Sequence, residues 1–106
     1  MPDAEQATII HDGHIILECN DAACDLFRCP CGELVGVRMA DIVHDLDLRR
    51  LAILRGKRIM SNTDNKVHEM EYTFQRCDRT VFWGKSFSQR IAPHRYKTII
   101  RWQYDD

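Results

Sequence analysis

The stretch ATIIHDGHIILECNDAACDLF, residues 7–27, decides the fold. It opens with a short apolar run, Thr8-Ile9-Ile10. His11-Asp12-Gly13-His14 follows, and its Asp-Gly pair is a strong hairpin-turn signal. Ile15-Ile16-Leu17-Glu18-Cys19 reads as the returning strand. Asn20 or Asp21 can cap a helix, since their side-chain oxygens accept from free backbone N–H groups. Ala23 and Phe27, four apart, then share one helical face.

Working outward, Pro30 and Gly32 end that helix. Glu33-Leu34-Val35-Gly36 gives a brief turn of helix closed by glycine, and Ala40 to Val43 gives another. Asp45 or Asp47 starts a longer helix that carries Leu48, Leu51 and Leu54 on one face, with Arg49, Arg50 and Arg55 away from it. Gly56 is expected to disrupt or end it. His68, Met70, Tyr72 and Phe74 alternate with Glu69, Glu71, Thr73 and Gln75, the period of a strand with one wet face. Cys77-Asp78-Arg79 reads as a turn, Thr80 to Ala92 as a second strand, Pro93-His94 as a break and Arg95 to Tyr104 as a third strand. The order β-β, short helices, β-β-β predicts an α+β fold, an antiparallel sheet with its helices on one side.

At 106 residues the chain is one domain, read as a lead-in over 1–7 and a domain over 8–106. With 44% hydrophobic residues it can bury one core. Its net charge is -1 and its Lys and Arg are scattered, so there is no electrostatic footprint for nucleic acid. No apolar run approaches the roughly 20 residues of a membrane-spanning helix. The start, Met1-Pro2-Asp3-Ala4-Glu5, lacks the basic and apolar regions of a signal peptide, and a cytoplasmic chain is expected. Four of the five cysteines, Cys19, Cys24, Cys29 and Cys31, lie close together; reduced thiols are the expectation.

Taken in order, these segments resemble a PAS domain over nearly the whole chain. Residues 7–27 resemble that family's Asp-Gly hairpin, the strand ending in Asn and the helix ending in Leu-Phe. ELVG at 33–36 resembles its Glu-Leu-hydrophobic-Gly, and DIVHDLD at 41–47 its entry to the long helix. CDRTVFW at 77–83 resembles the hairpin and aromatic of the last β pair, with Arg79 where the family usually has Gly. IIRWQYDD at 99–106 resembles the terminal strand. The resemblance implies a PAS-like fold, a five-stranded antiparallel sheet with short helices on one face. It also implies a non-enzymatic role in sensing, dimerisation or signal relay beside an output signalling domain. The bare lead-in and abrupt end favour a domain excised from a longer protein.

Within the family, particular positions decide what the cavity between sheet and helices holds. The photoactive flavin branch has a Cys three residues after the glycine of the Glu-Leu-Gly segment. Here Gly36 is followed by Val37, Arg38 and Met39, and a thioether cannot form that adduct. The branch's flavin-binding Asn positions fall on Phe74 and Gly84, and only Gln103 keeps a flavin-branch residue. Haem is the other cofactor the family offers, through a His near the long helix. His44 stands there, although it also fits the family's structural His-x-x-Asp entry. The Cys19–Cys31 cluster is a second candidate metal or redox site, but its spacing matches no standard metal signature, so no metal ligand is assigned. His11 and His14 flank a turn and are expected in solvent. No Ser-His-Asp arrangement and no glycine-rich phosphate loop supports catalysis.

The expected cavity wall includes Phe27, Met39, His44, Leu51, Leu54, Tyr72 and Phe74. If the Gln103 phase points inward, Ile99 and Arg101 follow it, with Phe82, Ser86 and Ser88 from the neighbouring strand. That adds Arg101 and Gln103 to the pocket and obliges a buried Arg101 to find a partner. The same phase sends Trp83, Phe87, Ile100 and Trp102 outward. With Tyr96 and Tyr104 they would form an apolar patch suited to a homodimer. Alternation alone equally permits these four to be core.

Overall fold

The computed structural model describes residues 6–61 and 65–105, without the side chains of Cys31, Ile59, Met60 and Ser61. Most of the lead-in expected over 1–7 lies outside the described residues, and Ala7 already belongs to the first strand. The elements run β1 (Ala7–His11), β2 (Ile16–Cys19), α1 (Asp21–Phe27), α2 (Cys31–Leu34), a 3-10 turn (Met39–Ile42), α3 (Leu46–Ser61), β3 (His68–Gln75), β4 (Val81–Ala92) and β5 (Arg95–Asp105). The five strands form one antiparallel sheet in the order β2-β1-β5-β4-β3.

Local chemistry explains the first half. Asp12 Oδ1 accepts from the backbone N–H groups of His14 and Ile15 at 2.9 and 2.7 Å, while Gly13 takes φ +94°. The hairpin therefore turns without unpaired donors. The Asn20 side chain caps α1 by accepting from Ala23 N at 2.9 Å, and the same oxygen accepts from Thr8 N at 3.0 Å. One side chain thus fixes the helix start and ties it to β1. Arg28 closes α1 in the left-handed region at φ +50°.

The helices cover one face of the sheet. Phe27, Leu34, Ile42 and Val43 are buried against Ile9, Ile16, Phe74 and Phe82. Phe27 meets Phe74 and Phe82 edge-on, with centroids 6.1 and 5.6 Å apart, and Phe74 stacks on Phe82 at 5.3 Å. These geometries suit the ring quadrupole.

Two expectations for α3 are corrected. The helix runs through Gly56 to Ser61, because one glycine costs only about 1 kcal/mol in a helix interior. Its inward face is also not the leucine stripe. Leu48 and Ala52 pack against the core, whereas Leu51 is exposed and Leu54 is 57% exposed. A three-residue step falls about 60° short of a full turn, so 48, 51 and 54 spiral off the buried face. The four-residue step 48, 52, 56 overshoots by only about 40°.

A third correction concerns β5. Ile100 pairs with Ser86 and Thr98 with Ser88, and Tyr96, Thr98 and Ile100 are buried. Ile100 and Tyr96 are therefore on the helix side, not on the outer face. Arg101 points outward and is exposed, with its guanidinium 5.0 Å from the Phe87 ring centroid, so the partner expected for a buried Arg101 is not required. The cause is a bulge: Gly84 pairs with Trp102 and Trp83 with Tyr104, which leaves Gln103 as the extra residue. A bulge reverses the alternation, so the Gln103 phase cannot be carried back to Arg101. Trp102 falls on the helix-side phase, and its indole N–H donates to Asp105 at 2.8 Å. Opposite the bulge the strands come close: a Cβ on Gly84 would lie 2.8 Å from the Arg101 carbonyl oxygen.

The cysteines depart from expectation as well. Cys29 and Cys77 form a disulfide across a sequence separation of 48. The expected cluster is therefore divided: Cys29 is committed to the β3–β4 turn, Cys24 is also disulfide-bonded, the free Cys19 sulfur lies 3.6 Å from that of Cys24, and the Cys31 side chain is outside the described residues.

Candidate functional site

A cavity of about 350 Å³ lies between the helix side of the sheet and α3. Its floor comes from β1 and from β3 to β5, as His11, Met70, Tyr72, Phe74, Ser86, Ser88, Tyr96, Thr98 and Ile100. Its roof comes from the 3-10 turn and α3, as Met39, Ala40, Ile42, Val43, Ala52, Ile53, Gly56 and Lys57. Small residues at 52 and 56 keep the helix from filling the space.

The walls are mostly apolar, but one polar rail crosses the floor. His11 Nε2 lies 2.7 Å from Thr98 Oγ1, which lies 2.8 Å from Ser88 Oγ. His11 Nδ1 accepts from Gly13 N at 3.1 Å, and its ring stacks on Tyr96 at 5.6 Å. With Nδ1 accepting, Nε2 carries the proton and donates to Thr98. Each hydroxyl then donates onward, and the rail ends at Ser88 in the cavity.

His11 is only 8% exposed, and burial drives its pKa from 6.5 down to about 4, opposed by the Asp12 carboxylate. The folded pKa lies below the unfolded one, so the unfolded chain binds the extra proton in between. Stability from this group is full above pH 6.5 and is lost as pH falls towards 4. The loss is about 2 kcal/mol by pH 5 and about 3 kcal/mol by pH 4. Urea unfolding at pH 7 and pH 5 measures it; a His11→Gln variant is expected to lack this part of the slope.

Of the residues expected in the wall, Met39, Tyr72 and Phe74 line the cavity. Phe27 is buried in the adjoining core, touching Phe74. Tyr72 donates its hydroxyl to Met70 Sδ at 2.7 Å, and burial raises its pKa. His44, the candidate haem ligand, is exposed and lies outside the cavity lining; its backbone N–H donates to Thr73 O at 2.8 Å. Leu51, Leu54, Arg101 and Gln103 are exposed and are likewise outside the lining.

His11, expected in solvent, is a central cavity residue instead. The signal was available: Ala7, Ile9 and His11 keep one parity along β1, and all three are buried. Thr98 follows the same rule on β5 with Tyr96 and Ile100.

Among the described residues, no three His, Cys, Asp or Glu side chains gather as a metal site, and no helix is long and apolar enough to cross a membrane.

A family model described as a PAS domain matches residues 5–101. A search of curated protein sequences finds no match. Solved structures do match. The PAS domain of an HTR-like protein from Haloarcula marismortui superposes with a TM-score of 0.76 at 13% identity, covering 95% of this chain and 89% of that one. A domain of a sensory box sensor histidine kinase/response regulator from Geobacter sulfurreducens gives 0.79 at 16% identity, covering 93% and 84%. The PAS domain of a LuxR-family transcriptional regulator from Burkholderia thailandensis, in complex with ethanol, gives 0.71 at 16% identity, covering 94% and 90%.

Proposed function

This chain belongs to the PAS domain family, and from that premise we propose that residues 8–106 form a cytoplasmic sensory module for a small uncharged molecule. The observation that carries the reading is the cavity, apolar on most sides and crossed by the His11–Thr98–Ser88 rail. Its volume lies near the lower end for ligand pockets. At the volume a water takes in the liquid, it holds about a dozen non-hydrogen atoms. No carboxylate lines it, and Lys57 is exposed. A charged ligand group would be buried without a counter-charge, which is costly, whereas a hydroxyl or carbonyl can join the rail. The ethanol held by the Burkholderia relative belongs to the same class of small alcohols.

A ligand acts by binding one packing of α3 on the sheet better than another, and that difference is the signal passed to an output domain. Thermal unfolding with ethanol, cyclohexanol and benzyl alcohol tests the assignment. A probe at a hundred times its Kd is expected to stabilise the fold by about 2.7 kcal/mol. Ser88→Phe, which fills the cavity, is expected to abolish that gain. If no uncharged probe shifts the transition, the ligand assignment fails.

One observation favours a second element of function. Trp83 and Tyr104 pack together on the outer sheet face with ring centroids 6.2 Å apart, and on the same face, beyond Lys85, Phe87 lies under Arg101. We assign this aromatic strip to pairing of two copies. Sedimentation of the same samples checks it: a Trp83→Ser/Phe87→Ser variant is expected to remain monomeric at concentrations where the parent dimerises, and a monomeric parent overturns it.

A further inference from the structure

We propose that the Cys29–Cys77 disulfide is a thiol-exchange site, opened by a low-mass thiol of the glutathione class and coupled to the end of β5. It lies away from the cavity, at a junction of three elements. Cys77 N donates to Phe27 O at 2.9 Å at the end of α1. The neighbouring Arg76, only 6% exposed, donates from Nε to Leu26 O at 2.9 Å and from Nη2 to Asp105 Oδ1 at 2.8 Å. Its guanidinium carbon lies 4.7 Å from the Phe82 ring centroid. Asp105 also accepts from the Trp102 indole. Arg28 reaches across to Asp78 in the same turn at 3.0 Å. Disulfide, buried guanidinium and β5 end thus form one connected group.

The two sulfurs differ in access. Cys29 is 5% exposed, whereas Cys77 is exposed in the β3–β4 turn. Exchange needs a thiolate to reach one sulfur, and only Cys77 offers that. A glutathione thiolate attacks Cys77 Sγ, the S–S bond breaks, and Cys29 leaves as a thiolate that takes up a proton. A second glutathione thiolate attacks the sulfur of the glutathione now bound to Cys77. Glutathione disulfide departs and Cys77 becomes a thiol, so two electrons pass from two thiols to the protein disulfide. In a cytoplasmic setting disulfides are mostly transient and redox-sensing, which fits a bond left exposed on one side. With the bond open, the 76–80 turn is held to the end of α1 by hydrogen bonds and the exposed Arg28–Asp78 pair alone. Arg76, one residue away, then has fewer constraints holding it between Leu26 and Asp105.

The test equilibrates the protein over a series of glutathione/glutathione disulfide ratios. Alkylation and peptide mass read the bond, and backbone hydrogen exchange reads 76–80, 102–105 and β1–β2. The bond is expected to open reversibly within the series. Exchange at 76–80 and 102–105 should then rise at least tenfold more than exchange in β1–β2, which follows the loss of global stability. Asp105→Asn with the bond intact is expected to raise exchange at 102–105 and to remove most of its dependence on the ratio. A bond that stays closed across the series overturns the proposal. So does opening that leaves 102–105 unchanged, or opening that raises exchange equally at 102–105 and in β1–β2, which marks a structural staple.

Discussion

Full reduction of the Cys29–Cys77 bond will lower the folding stability by about 4 kcal/mol. The figure follows from the sequence separation of 48 between the two cysteines: the bond removes the entropy of closing that loop from the unfolded chain. A domain of this size has about 5–15 kcal/mol in all, so the reduced form is folded but has lost much of its margin. In urea, with a slope of about 1–3 kcal/mol per molar, the midpoint should fall by roughly 2 M. Unfolding curves of the parent and of a Cys29→Ala/Cys77→Ser variant, both without reductant, measure the shift, since a phosphine would open the bond at Cys24 as well. A shift below about 1 kcal/mol would mean that the unfolded chain already holds the two segments together.

The second large effect is Phe82→Ala, expected to cost about 3–5 kcal/mol. Phe82 is fully buried and contacts Phe27, Phe74 and the Arg76 guanidinium. Its loss removes packing and leaves a void beneath α1, which backbone relaxation closes only in part. Trp83→Ala, one residue along and half-buried on the outer face, is expected to cost about 1 kcal/mol as a monomer. Chemical denaturation of both variants at low protein concentration gives the comparison. The reverse order would mean that the face assignment of β4 is wrong.

The sequence carried the fold in its local signals. The Asp-Gly turn, the Asn20 cap and the Met70–Tyr72–Phe74 alternation each act through chemistry within a few residues, and each is where it was read. What it did not carry depends on pairing. In β5, Ile99 and Ile100 are both apolar, so alternation leaves the phase open, and the extra residue at Gln103 shifts it again. Only the partners Ser86 and Ser88 on β4 settle which face Ile100 and Thr98 take. The cavity was hard to read for a related reason. Its distinctive residues, His11, Thr98 and Ser88, are polar, and each loses its apparent preference for water once it bonds the next. Cys77 looked unrelated to Cys29, because nothing local reports a contact made 48 residues away.

The strand order has a consequence for how the molecule is made. β5, the last strand to leave the ribosome, lies in the middle of the sheet, between β1 and β4. Until it arrives, the β1–β2 and β3–β4 hairpins share no ladder, and each is marginal alone. Ala7 pairs with Ile100, so almost the whole chain must be synthesised before the sheet closes. Closure of the sheet therefore waits for β5 and is slow for the domain's size, because these non-local pairings carry a large loop-closure cost. A nascent chain stalled before residue 95 would leave the facing edges of β1 and β4 open to a neighbouring polypeptide, which makes that intermediate the aggregation-prone species.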